Sequence, residues 1–375
     1  MPNGTTLPAI DRNGRLIQLD SLRALAVFGV FITHSELHYL EILPWGVLGV
    51  DLFFVLSGFV ITRILLNARL DNAECGMLLT AGRFYARRLI RLVPPYYAVI
   101  AVFALVGNAH IRTALLWHLT YTSNLFFAMN GDLNLLGGHF WTLAVEEQFY
   151  IFWPWLVLLF PIRLMKVLFG ASVVVALGYR WWSSAHAEGM NALVMLPANI
   201  DRFAIGGFVA LQWTDSARNL DSFFNRRRWI VPSGALAALL AGFLPEAWQP
   251  VAPLLRGLGF GLVIHAAGRG IGGRVGQLLE SRTLRYLGLI SYGLYVYHPF
   301  CSWLVAGVLR RFGLPAETHP YTHFILFSSL SILTASASWS LLEKPFSRLK
   351  NRFEFGAAQS RMPVTLAAEN AGQAS

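Results

Sequence analysis

Ten apolar stretches, at residues 19–40, 43–66, 92–108, 139–160, 164–183, 193–213, 229–245, 251–268, 285–309 and 321–342, each run for about the thickness of a lipid bilayer. A membrane-spanning helix needs roughly 17–25 predominantly apolar residues. Inside hydrocarbon every backbone N–H and C=O must be satisfied by the segment itself, and a helix does this. The expected fold class is therefore all-α, a polytopic membrane protein of about ten transmembrane helices. Composition agrees: 13% of the 375 residues are charged, against about 25% in soluble domains. A further stretch, 113–130 (TALLWHLTYTSNLFFAMN), is apolar but dotted with polar groups, and reads as interfacial or re-entrant.

The basic residues orient this frame. An even number of spans puts both termini on one side. That side takes 22 of the 30 Lys and Arg residues, the opposite side takes Arg112, Arg180, Arg310 and Arg311, and Arg23, Arg63, Arg202 and Arg256 fall within spans. Cytoplasmic loops carry the excess of Lys and Arg, so both termini are expected to be cytoplasmic. The net charge of +10 is then a signature of topology, and nucleic-acid binding is not expected. Residues 1–18 read as a cytoplasmic segment, 19–350 as the membrane domain and 351–375 as a disordered cytoplasmic tail. Cys75 and Cys301 are far apart and lack metal-type spacing, so neither a disulfide framework nor a metal site is expected.

Orientation converts sequence position into depth, at about 1.5 Å per residue. Arg23 and His34 lie eleven residues apart on the first span, about three turns, and so share nearly one face. Arg23 falls near the cytoplasm and His34 in the outer half. Asp51, Glu146, Glu147, Asp201 and His298 fall at depths similar to His34, whereas Arg63, Arg88 and Arg91 fall with Arg23. Ionisable groups at bilayer depth are costly and mark candidate sites. They can equally be structural ion pairs, and adjacent Asp201 and Arg202 suit that reading as well as a site. His34 could be a core histidine bonded to Asp51 or Glu146.

In FYARRLIRLVPPYY, Arg88 and Arg91 share a helical face below Pro94 and Pro95, where a helix break is expected. Arginines at a cytoplasmic mouth suit phosphate through bidentate hydrogen bonds. Ser57 in GVDLFFVLSGFVI lacks the G-x-S-x-G elbow of a nucleophile, and Gly58 beside it suits close helix packing. Glu343 and Lys344 read as a structural feature at the cytoplasmic boundary, and no histidine begins an H-x-x-x-x-D pattern.

Together, LDSLRALAVFGVFITHS, GVDLFFVLSGFVI, ARRLIRLVPPYY, FWTLAVEEQFYIFWP, ISYGLYVYHPF and LLEKPFSR resemble the acyltransferase-3 (membrane O-acyltransferase) family, from about residue 18 to 350 and in family order. The resemblance implies an O-acetyltransferase of the bacterial cytoplasmic (inner) membrane. It would take an acyl group from acetyl-CoA, a substrate and not a resident cofactor, to a hydroxyl of an envelope or secreted carbohydrate. It implies a catalytic role for His34 and donor binding by Arg23, Arg88 and Arg91. We add Arg63 to the donor site, Glu146 or Asp51 as the group that orients the imidazole, and Glu147, His298 and Asp201 as acceptor contacts. Relatives often carry an added extracytoplasmic domain that this chain lacks, so direct transfer or a separate polysaccharide-assembly partner is expected. The rival is a proton-coupled carrier, which also places histidines and carboxylates at depth, but favours repeats and broken helices in two matching halves, which this sequence does not show. An acyltransferase acting on lipid or protein would look the same chemically.

Overall fold

The computed structural model describes residues 16–353, apart from 36, 38, 39, 41, 72–75, 134, 187–191 and 215–229. The polar N-terminal segment to residue 15, Cys75 and the tail from residue 354 thus lie outside the described residues. Among those described the chain is all-helical. In order the helices are α1 (Ile17–Thr33), α2 (Trp45–Asp71), α3 (Met77–Leu105), α4 (Ala109–Thr113), α5 (Leu115–Leu119), α6 (Ser123–Asn130), α7 (Phe140–Leu159) and α8 (Ile162–His186). They continue as α9 (Ile200–Thr214), α10 (Ile230–Leu240), α11 (Ala252–Arg269), α12 (Gly273–Leu279), α13 (Arg282–Leu289), α14 (Ser291–Arg311), α15 (Pro320–Ser338) and, after a π-helical turn at Trp339–Glu343, α16 (Lys344–Ser347).

Every expected span contains a helix, but five helical stretches among the described residues are long and apolar enough to cross a membrane: Trp45–Leu70, Met77–Leu105, Ile162–His186, Glu246–Arg269 and Pro320–Lys350. Several of the others are shortened for local reasons. The first helix stops at Thr33, with His34 as its C-cap. Residues 192–198 form two 3-10 turns ahead of α9. The expected 285–309 span is divided at Ile290 into α13 and α14. The 113–130 stretch forms short helices, with Tyr121 in the left-handed region (φ 53) and its ring 4.4 Å from that of Tyr96.

Pro94 and Pro95 do not break α3, which runs helically through both. Two tyrosines of α14 brace it there: Tyr292 donates to the Leu92 carbonyl at 2.8 Å and Tyr297 to that of Pro95 at 3.4 Å. Glu343, read as a boundary residue, is instead buried (3% exposed) on the π-helical turn.

Helix α2 is the hub, packed against α1, α7, α9 and α11. Small residues let backbones approach: a Cβ on Gly58 would strike the Phe203 backbone of α9, and one on Gly206 would strike the Val55 backbone of α2. Between helices in lipid, this van der Waals approach substitutes for a hydrophobic drive. Aromatic rings fill the adjoining core, with Phe203 stacked between Phe54 (4.7 Å) and Phe149 (4.2 Å). Gly206→Leu should therefore lower stability by about 1–3 kcal/mol or more. Gly178→Ala, where the added carbon meets nothing within 4 Å, should leave it unchanged or slightly raised; thermal unfolding in detergent reads both.

Candidate active site

A cavity opens between α1, α2, α3, α7 and α14. Arg23, Arg88 and Arg91 line it together with Ser57, Glu146 and Tyr150; Thr142, Phe53 and Tyr295 line it as well. Thus three of the four sequence-assigned donor arginines converge with one of the assigned carboxylates. Arg23 is held by Asp20, one turn back on α1, at 2.6 Å. The Arg88 guanidinium lies 4.8 Å from the centre of the Tyr150 ring. Glu146 accepts a hydrogen bond from the Ser57 hydroxyl at 2.7 Å. Four arginine and carboxylate side chains in one cavity, three of them cationic, make a site suited to a polyanion.

His34 stands beside this cavity and does not line it. It is exposed at the end of α1, and its Nδ1 lies 2.9 Å from the Val30 carbonyl. A carbonyl only accepts, so Nδ1 carries the hydrogen and Nε2 keeps its lone pair. That is the tautomer a base requires. The His34 ring meets the ring of His298 edge-on at 4.7 Å, and His298 in turn lies 5.3 Å from His139. His298 is fully buried and donates from Nδ1 to the Tyr295 carbonyl at 2.8 Å. The Tyr295 hydroxyl shares a 2.6 Å hydrogen bond with Thr142 and donates to the His139 carbonyl at 3.2 Å. Tyr295 and Thr142 line the cavity, so one wall residue joins the arginine chamber to the histidine row.

Other expectations are corrected by geometry. Asp51 does not orient the His34 imidazole: its Oδ2 receives Arg256 Nε at 2.5 Å and its Oδ1 receives Arg202 Nη1. Asp201 belongs to the same buried network, with Oδ2 2.8 Å from Arg180 Nη2 and Oδ1 3.4 Å from Arg202 Nε. Arg180 and Arg202 also donate to the Ala198 carbonyl, each at 2.7 Å. The row Arg256–Asp51–Arg202–Asp201–Arg180 therefore ties α11, α2, α9 and α8 together, and Asp51 and Asp201 are structural there. Glu146 faces Ser57, not the imidazole. Glu147 lies a helical step away, in the field of Tyr96, Tyr97 and Tyr121. Arg63 is not among the cavity residues either; its guanidinium lies 5.2 Å from the Trp213 ring, which Arg269 also approaches at 4.7 Å.

Sequence reasoning weighed Ser57 only as a nucleophile and passed over Tyr150, Thr142, Tyr295 and His139. All but His139 belong to a motif it had singled out, but hydroxyls and a ring edge carry no charge signal, and which helix they face is a tertiary fact. Arg180 and Arg256 carried a usable signal, since a cation at bilayer depth requires a partner.

The acyltransferase-domain family model matches residues 16–342. The chain belongs to the acyltransferase-3 family. Among similar proteins, the peptidoglycan O-acetyltransferase OatA of Listeria monocytogenes is 28% identical over 369 residues, an alignment that covers 87% of this chain and 55% of that one. A Bacillus subtilis protein provisionally named a peptidoglycan O-acetyltransferase is 27% identical, covering 87% of this chain and 54% of that one. A Staphylococcus aureus protein, provisionally named an O-acetyltransferase, is 26% identical over 88% of this chain and 56% of its own. The chain thus spans about half the length of the curated relatives it matches. No solved structure matches it. The cavity residues all fall within the stretch that the family model matches.

Removing one partner from a buried ion row strands the others and costs about 3–5 kcal/mol, whereas removing an opposed pair costs less. Asp51→Leu should lower stability by that amount, and Asp51→Leu with Arg256→Met should recover part of it. Thermal unfolding of the two purified variants in detergent compares them directly.

Proposed function

We propose that the protein is a membrane O-acetyltransferase that moves an acetyl group from acetyl-CoA to a hydroxyl of a cell-envelope carbohydrate. The observation that carries this reading is the convergence of Arg23, Arg88 and Arg91 on one cavity whose wall, through Tyr295, reaches the histidine row that ends at His34. The names of the relatives point to O-acetylation, and those of the Listeria and Bacillus proteins to a peptidoglycan acceptor. A carrier is not favoured, because the family is one of acyltransferases. About ten spans with both termini in the cytoplasm of a bacterium, as the Lys and Arg distribution supports, would open the arginine chamber inward and His34 outward.

In this mechanism the CoA phosphates bind the cavity arginines, and the pantetheine arm runs toward His34, roughly 16 Å along the helix from Arg23. The acceptor hydroxyl approaches the exposed imidazole. His34 Nε2 takes its proton as the oxygen attacks the thioester carbonyl. The C–S bond breaks, and the CoA thiolate leaves with the proton from the imidazolium. The histidines behind the ring, His298 and His139, hold it in place through packing.

His34→Ala should cut transfer by about 10²–10⁴-fold while acetyl-CoA still raises the melting temperature of the purified protein. Arg88→Ala with Arg91→Ala should abolish that thermal shift, because stabilisation requires binding to the folded state. Mass spectrometry of envelope glycans from cells with and without the protein reads the transfer, and normal acetylation by the His34→Ala protein would sink the assignment.

A further inference from the structure

Glu146 shares its cavity with three arginines, yet its hydrogen-bond partner among the described residues is a serine. A carboxylate beside guanidiniums in a low-dielectric site ordinarily closes onto one of them, through short charge-assisted bonds. Here the Ser57 hydroxyl claims Oε1 at 2.7 Å instead. The surroundings are arranged to match. Arg23 is occupied by Asp20 at 2.6 Å. Arg88 is held over the face of Tyr150, a contact that leaves the edge of the guanidinium unspent. The Tyr150 hydroxyl lies 3.5 Å from Ser57 Oγ, so one tyrosine braces both the cation and the serine. The direction of Ser57 is fixed by the fold, because its neighbour Gly58 abuts the Phe203 backbone and sets the rotation of α2.

We propose that Ser57 is a positioning residue that holds Glu146 off the cavity arginines, so that the carboxylate does not compete with the phosphate groups of an incoming donor. This deepens, and rests on, the reading of the cavity as the site of a phosphate-bearing thioester. Without the serine, Glu146 turns to the nearest guanidinium, and the ligand must displace it. With Gln at 146 the competition disappears, and with it the need for the serine.

Titration calorimetry of the purified full chain with CoA tests this, using Ser57→Ala, Ser57→Thr, Glu146→Gln and the Ser57→Ala/Glu146→Gln double variant. Ser57→Ala should weaken CoA binding by about tenfold, which corresponds to ~1.4 kcal/mol. Ser57→Thr should restore it, Glu146→Gln should tighten it, and the double variant should bind like Glu146→Gln alone. An unchanged affinity in Ser57→Ala overturns the proposal. So does an equal loss in both backgrounds, which a merely structural serine would give. If the unaltered protein binds no CoA, the donor reading falls and this inference with it; if it binds CoA and the serine proves indifferent, only the inference falls.

Discussion

The buried charge row Arg256–Asp51–Arg202–Asp201–Arg180 is the constraint on which the rest depends. Five ionised side chains taken out of water are tolerated because each carboxylate lies between two guanidiniums, and Arg180 and Arg202 also donate to the Ala198 carbonyl. Such a row is weak evidence for net stability, but a shift of any one helix would strand a charge. It locks α2 in rotation and depth against α8, α9 and α11. Gly58 and Gly206 then let α2 and α9 come within backbone contact. Six residues along α2 from Asp51, Ser57 is thereby aimed at the cavity.

With the hub fixed, the chemistry is divided between two compartments. The arginine chamber gathers three cationic side chains around one carboxylate. The histidine row is packed, largely aromatic and nearly free of charged neighbours, and it ends in an exposed imidazole whose tautomer is set by the Val30 carbonyl. Tyr295 belongs to both: it lines the chamber, and its carbonyl receives His298.

Much of this was legible in the sequence, and what was not has a common physical cause. Apolar length placed a helix at all ten stretches, and residue spacing placed Arg23, Arg88, Arg91 and Glu146 so that the fold could gather them. Position along a helix is encoded locally; the neighbour that a side chain faces is not. Asp51 and Glu146 lie at similar depth, and depth alone could not say that one faces Arg202 and Arg256 while the other faces Ser57. Pro94 and Pro95 read as a break because the tyrosines of α14 that brace α3 lie about two hundred residues away in sequence. Ser57 lacked the elbow motif of a nucleophile, and its partnership with Glu146 has no local signature. The shortened helices at Thr33 and Ile290 were missed because hydropathy continues past the point at which the backbone turns.

The most direct test is an experimental structure of the protein in a lipid nanodisc with a non-hydrolysable acetyl-CoA analogue. The account predicts phosphate density within hydrogen-bonding distance of Arg23, Arg88 or Arg91, Glu146 still bonded to Ser57, and the acyl end of the analogue directed toward His34. An analogue seated outside this cavity, or one whose acyl end points away from the histidine row, would contradict it.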